Sequence, residues 1–159
     1  MGRWSREELE TEFDLYKGRA LRAATSGDWR AWADQFTEDA TYIEHHFGTF
    51  GGREAIYRWI QSTMSEWPNK EMTFFPVDWH VIDEDRGWVI FKVQNRFGDP
   101  GDGSVHQEYN ISILHYAGQG LWSYEEDIYN PAKMGEMVMQ YLAHKKALSA
   151  DDEKPAEPR

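Results

Sequence analysis

The run Tyr42-Ile43-Glu44-His45-His46 brings a phenol, a carboxylate and two imidazoles together in one short stretch. Strand alternation puts Tyr42, Glu44 and His46 on one face, with Ile43 and His45 on the other. Facing inward, the first set supplies the side-chain types of a general acid, a general base and an orienting group. Facing outward, it is a solvated strand end. A second run, Trp122 to Tyr129, places Glu125, Asp127 and Tyr129 on one face and Glu126 with Ile128 on the other. A carboxylate in an apolar cavity has its pKa raised by desolvation and can act as a base near neutrality. Asp127, at the strand's end, is the candidate; Glu125 and Glu126 read as an exposed acidic edge. In Val93-Gln94-Asn95-Arg96-Phe97, an inward Asn95 would hold a carbonyl or a water. Asn110 and Ser112 share the polar side of their strand with Glu108, opposite Tyr109, Ile111 and Ile113, and that side is either pocket or solvent. Trp79, between Val77 and Val81, is either cavity wall or a packing surface.

Other chemistries are excluded or weak. Adjacent His45 and His46 cannot both reach one ion from a regular strand, and no third ligand has the spacing, so no metal is expected. The chain has no cysteine, hence no thiol nucleophile, thiolate site or disulfide. The stretch Gly98 to Ser104 is glycine-rich but lacks the lysine of a phosphate-binding loop. Lys plus Arg is 17 and Asp plus Glu is 28, a net charge of −11. Such a chain repels phosphate backbones and anionic head groups, so neither nucleic acid nor a membrane is an expected partner. Its apolar runs are too short to span a bilayer and its start is no signal peptide, which predicts a cytoplasmic protein. Aromatic residues make up 15% of the chain, enough to fill a core, line a pocket for flat apolar ligands, or cover a partner surface.

The 159 residues suit one domain. Ser5 with Glu8 is a capping box, and Leu9, Phe13, Tyr16, Ala20 and Ala24 form one stripe of a first helix ending at Gly27. A short helix from Asp28 carries Trp29, Trp32 and Phe36 on one side. Ala40 to Phe47 is strand-like, Gly48 to Gly52 a turn, and Arg53 to Glu66 a third helix closed by Pro68. Thr73 to Ile82, Gly87 to Phe97, Val105 to Tyr116 and Leu121 to Tyr129 read as an antiparallel meander. Asn130-Pro131 opens a last helix with Met134, Met137, Val138, Tyr141 and Leu142 inside. Residues 1–148 form the domain, and the polar tail 149–159 is expected to be disordered. Helices followed by strands predict an α+β fold: a curved antiparallel (mixed) sheet wrapped by three N-terminal helices and a C-terminal one, a cone with one open mouth.

These residues carry a resemblance. Asp39-Ala40-x-Tyr42, Gly52-Arg53-Glu54-Ala55-Ile56 and the late Trp122 to Pro131 segment resemble the SnoaL-like family of the nuclear transport factor 2-like superfamily, over about residues 5 to 145. The resemblance implies the cone fold, pairing of two copies through the outer sheet face, and activities ranging from polyketide cyclases, isomerases, epoxide hydrolases and dehydratases to binding modules. Matched by position, the isomerase's base falls near Glu44 or His45, its oxyanion tyrosine near Ala20 and its second acid near Ser112. The epoxide hydrolase pattern matches Tyr42 and Asp127, but has Glu44, Val93 and Asn95 where asparagine, arginine and a second aspartate belong. A dehydratase histidine would fall near Asn110. No member's site is complete here.

The leading expectation is therefore a cofactor-independent acid–base enzyme acting on a hydrophobic polyketide-, steroid- or terpenoid-like metabolite. Asp127 or Glu44 would be the base, His46 and Tyr42 the acid and orienter, and Asn95 the polariser. Trp79, Asn110, Tyr129 and His45 would contact the ligand, and the protein would be a homodimer. The rival is a non-catalytic ligand-binding or dimeric interaction module of the same fold.

Overall fold

The computed structural model describes residues 2–152. Helix α1 (Arg6–Ser26) starts where the Ser5 side chain accepts the Glu8 amide at 3.1 Å. It stops at Gly27, whose left-handed φ of 79° lets its amide return to the Ala23 carbonyl. Helix α2 (Arg30–Ala33) is one turn. Strand β1 (Phe36–Glu44) starts earlier than Ala40, so Phe36 belongs to the sheet and not to the second helix. The glycine-rich stretch read as a turn is strand β2 (Gly48–Gly51), laid antiparallel on β1. Helix α3 (Arg53–Ser65) and a short 3₁₀ turn (Asn69–Glu71) lead into the rest of the sheet.

Thr73 to Ile82 divides into β3 (Met72–Phe74) and β4 (Val77–Asp83), both antiparallel to β5 (Trp88–Phe97). Pro76, which has no amide hydrogen to give a ladder, lies at the break. β6 (Gln107–Gly118) and β7 (Leu121–Ile128) continue the meander, and β7 then lies parallel to β1. The sheet order is β2-β1-β7-β6-β5-β3, with β4 also on β5. Helix α4 (Pro131–Asp152) runs past Ser149, so Ser149–Asp152 are helical where a disordered tail was expected; the rest of that tail lies outside the described residues.

The helices cover the concave face of the sheet. Leu9 and Phe13 are fully buried, and Phe13 meets Phe91 at a ring separation of 4.8 Å. Trp32 packs edge-on to Phe36, and Trp122 is buried beside Tyr16. Replacing Phe13 with Ala would cost about 3–5 kcal/mol. A second cluster, Met72, Phe97, Met137 and Tyr141, seats α4 over the far end of the sheet. None of the described helices is long and apolar enough to cross a membrane.

Two bulges decide which side chains face the concavity. In β4, Val77 pairs with Val93 but Trp79 pairs with Lys92, so one extra residue is spent and the alternation flips. Val77 faces the cavity, and Trp79 points outward, 46% exposed. In β7, Trp122 pairs with Tyr116 and Tyr124 with His115, and the extra residue turns Glu125 and Asp127 to the same side as Trp122.

Candidate active site

A cavity of about 520 Å³ opens between the sheet, α1, α3 and α4. Its walls are mostly carbon: Trp29, Trp32, Trp59, Phe75 and Phe91 face it, and Met134 and Val138 of α4 bound it. The polar groups gather at its floor. β7 supplies Glu125 and Asp127, β1 supplies Tyr42 directly across the parallel ladder, and α1 supplies Tyr16.

Tyr16 Oη donates to Glu125 Oε1 at 2.7 Å. Tyr42 Oη lies 3.2 Å from the same oxygen and 2.5 Å from Asp127 Oδ2. A phenol has one hydrogen to give, and the shorter contact assigns it to Asp127. Asp127 Oδ1 also accepts from Ser112 Oγ at 2.6 Å. Behind Ser112, Asn110 Nδ2 donates to its hydroxyl at 2.7 Å, and Asn95 Nδ2 donates to Asn110 Oδ1 at 2.7 Å. The floor is thus one continuous hydrogen-bonded chain across β1, β5, β6 and β7.

Burial raises the pKa of both carboxyls. Glu125 is pushed well above the ordinary carboxylate range by desolvation first and by the charge of Asp127 second. Asp127 is raised by desolvation, while Ser112 and Tyr42 pull it back. Desolvation likewise lifts the phenols of Tyr16 and Tyr42 well above their usual value. Glu125 Oε2 is buried with no hydrogen-bond donor, a costly place for an anionic oxygen. Asp127 collects donors on both oxygens. Of the pair, Glu125 is the one that favours its neutral form, and Asp127 is the one better able to carry the charge. With the proton on Glu125 Oε1, the sequence of donors runs from Glu125 to Tyr42 to Asp127.

Of the residues singled out from the sequence, Tyr42, Glu44, His46, Asn95, Asn110, Asp127 and Tyr129 line the cavity, and Trp79 and His45 do not. Trp79 is turned away by the β4 bulge. His45 points to the outer face, where Nε2 pairs with Glu126 Oε2 at 2.7 Å. Glu44 is buried, but its Oε2 accepts the amides of His46 and Phe47 at 2.8 and 2.6 Å, which fastens the turn after β1. Its carboxylate also pairs with the Tyr129 phenol, whose pKa is raised by burial and then by that contact. His46 sits past the end of β1 with an exposed ring at the cavity rim. Asn95 spends its amide on Asn110 Oδ1 and the Glu108 carbonyl, so it positions the chain instead of donating to a ligand.

Two side chains of the cavity floor escaped the sequence reading. Glu125, taken for an exposed edge, is only 2% exposed. Tyr16 read as one more rung of the α1 stripe; the cavity wall at Ala20 lies one turn on. The only signal for either was the face that Glu125 shares with Asp127 and the single polar tip in an otherwise apolar stripe. Among the described residues no cluster of three His, Cys, Asp or Glu has metal-holding geometry.

A family model described as a SnoaL-like domain matches residues 18–123. The chain belongs to the SnoaL-like family. No curated protein matches it. Its fold is shared with an LEH-like epoxide hydrolase of M. tuberculosis, at TM-score 0.63 and 12% identity over 87% of this chain and 93% of that one. It is shared too with SalBIII, an epoxide hydrolase/cyclase-like enzyme in pyran ring formation in the polyether salinomycin, at 0.59 and 15% over 79% and 93%. A nuclear transport factor 2-like protein from Anabaena variabilis superposes at 0.61 with 13% identity over 82% and 95%. At these identities the likeness establishes the curved, cone-type α+β fold of the SnoaL-like chain.

Proposed function

We propose that this SnoaL-like protein is a cofactor-independent acid–base enzyme that adds an oxygen nucleophile, water or the substrate's own hydroxyl, to an apolar ring-containing metabolite such as an epoxide. The observation that carries the reading is the Glu125–Tyr42–Asp127 chain at the floor of an apolar cavity. Asp127 takes the proton from the attacking hydroxyl as the new C–O bond forms. Tyr42 gives its proton to the oxygen released as the ring C–O bond breaks, and Glu125 reprotonates Tyr42. The site is then left with neutral Asp127 and ionised Glu125. One shift back through the Tyr42 hydroxyl, from Asp127 to Glu125, restores the starting state, and no net proton is gained or lost. Water exclusion by the aromatic walls strengthens each of these contacts. Epoxide hydrolase and cyclase-like relatives on the same fold support the choice of reaction class.

The outer sheet face favours a paired protein. Trp79, Val81 and Tyr109 are exposed there, an apolar surface suited to a second copy of the chain. The expected homodimer would sediment at twice the mass of 18.7 kDa at micromolar concentration, and a monomer would overturn it. The absence of cysteine suits a reducing cytoplasm.

The test uses styrene oxide in isotope-labelled water and, separately, an epoxyhexanol whose terminal hydroxyl can close a ring. The expected result is labelled diol or cyclic ether formed above background, with the rate lost in Asp127→Asn. Product formation at the background rate with both probes, or unchanged in Asp127→Asn and Tyr42→Phe, overturns the reading.

A further inference from the structure

The cavity's charge is one-sided. The acids Glu44, Asp127 and Glu125 line it, the last favouring its neutral form, and the two basic side chains among its lining residues do not answer them. Lys17 directs its ammonium away, 2.8 Å from Asp14 and over the Phe13 ring. His46 stands exposed at the rim. Every carboxylate partner at the floor is a neutral hydroxyl or amide: Tyr16, Tyr42, Ser112, Asn110. Glu125 Oε2 receives no hydrogen bond from any of them. Around these acids stand the ring faces of Trp29, Trp32, Trp59, Phe75 and Phe91. Aromatic faces carry negative quadrupole potential, so walls and floor attract the same kind of charge.

We propose that the ligand of this cavity is a lipophilic amine, protonated at neutral pH, whose ammonium group rests near Asp127 while its carbon frame fills the aromatic walls. The inference rests on reading this cavity as the substrate site and names the substrate's chemical class. A neutral ligand of the same shape would bury the same apolar area but leave the floor's charge uncompensated, whereas a cation gains from Asp127 and from the rings together. A bound cation also keeps Asp127 ionised, the form the base needs.

The probes are 1-adamantylammonium and 1-adamantanol, equal in shape and different in charge, each titrated calorimetrically into the full chain at pH 7. The ammonium is expected to bind at least tenfold more tightly than the alcohol. In Asp127→Asn, whose fold is checked by its melting curve, that preference should fall to near unity. Equal or tighter binding of the alcohol to the wild-type protein overturns the inference, with no variant needed. So does failure of both probes to bind at millimolar concentration. Styrene oxide turnover separates the two claims. Turnover without ammonium preference leaves the enzyme reading intact and removes this one; ammonium preference without turnover does the reverse.

Discussion

Glu125 and Glu126 are identical side chains on consecutive residues of β7, and the fold sends them to opposite extremes. Glu125 faces the concavity, where desolvation and the neighbouring Asp127 drive its pKa up. Glu126 faces the outer surface, where the Tyr124 hydroxyl and then His45 hold it down. The Tyr124 contact is 2.8 Å and the His45 contact 2.7 Å, comparable in length to those of Glu125. Hydrogen bonding alone therefore does not separate the two. The difference is water: outside, solvent and a basic partner stabilise the anion, and inside, only phenols and a second acid are at hand. The same contrast holds across the molecule. Asp102 on the exposed loop is lowered to about 2, chiefly by the Ser104 hydroxyl, while Asp127 at the floor rises.

Breaking the inner side should have the largest effect. Asp127→Asn keeps the shape and removes the base, and should lower kcat/KM on styrene oxide by about 10²–10⁴-fold with the fold intact. In the wild-type protein the rate should rise with pH as Asp127 ionises, through a midpoint above the ordinary aspartate range, and fall again at the higher pH where Glu125 loses the proton it must supply. A rate independent of pH from 4 to 8 would remove Asp127 from the role. Tyr42→Phe comes next. It cuts the proton chain but leaves both carboxyls, and should cost about 10²-fold in kcat with little change in KM.

Glu125→Gln sharpens the comparison through stability. A carboxyl with a raised folded-state pKa binds its proton more tightly in the native state, so its contribution to stability falls as pH rises from about 4 through the raised value. Gln keeps an acceptor for Tyr16 and has no proton to lose. Urea unfolding should find Glu125→Gln equal to wild type near pH 4 and more stable at pH 8 by more than about 1.4 kcal/mol, the worth of one pKa unit. A variant less stable at pH 8 would mean that Glu125 is ionised and held by its phenols. The smallest effect belongs outside. Glu126 is lowered in the native state, so its contribution is present at neutral pH and is lost on acidification. Glu126→Gln should destabilise by no more than about 0.5 kcal/mol at pH 7, since the His45 pair is solvent-exposed.

Sequence periodicity located every helix and most strands, because helices and strands bury one face at fixed intervals and those intervals are written in the residue types. It placed the candidate site on β1 and β7 for the same reason. It lost the facing of individual strands. β6 shows why: Asn110 is 6% exposed and Tyr109 44%, so its polar side lines the cavity and its apolar side faces out. A rule of apolar inside and polar outside inverts wherever the interior is a functional site and the exterior is a pairing surface. The bulges in β4 and β7 are equally silent in the residue types, yet each turns a tryptophan or an acid to the other side.

What the sequence by itself determined is the helices and most of the strands, the family to which they belong, and the presence of Tyr42 and Asp127 as chemistry-bearing residues on two of those strands. Only the tertiary structure decided that Tyr16 from α1 and Glu125 from β7 complete the site, and that Trp79 and His45 stand outside it. The physical reason is that side-chain direction is a local alternation that a single extra residue reverses. Proton affinity is set by the water a group loses, and that is fixed only once the helices have closed over the sheet.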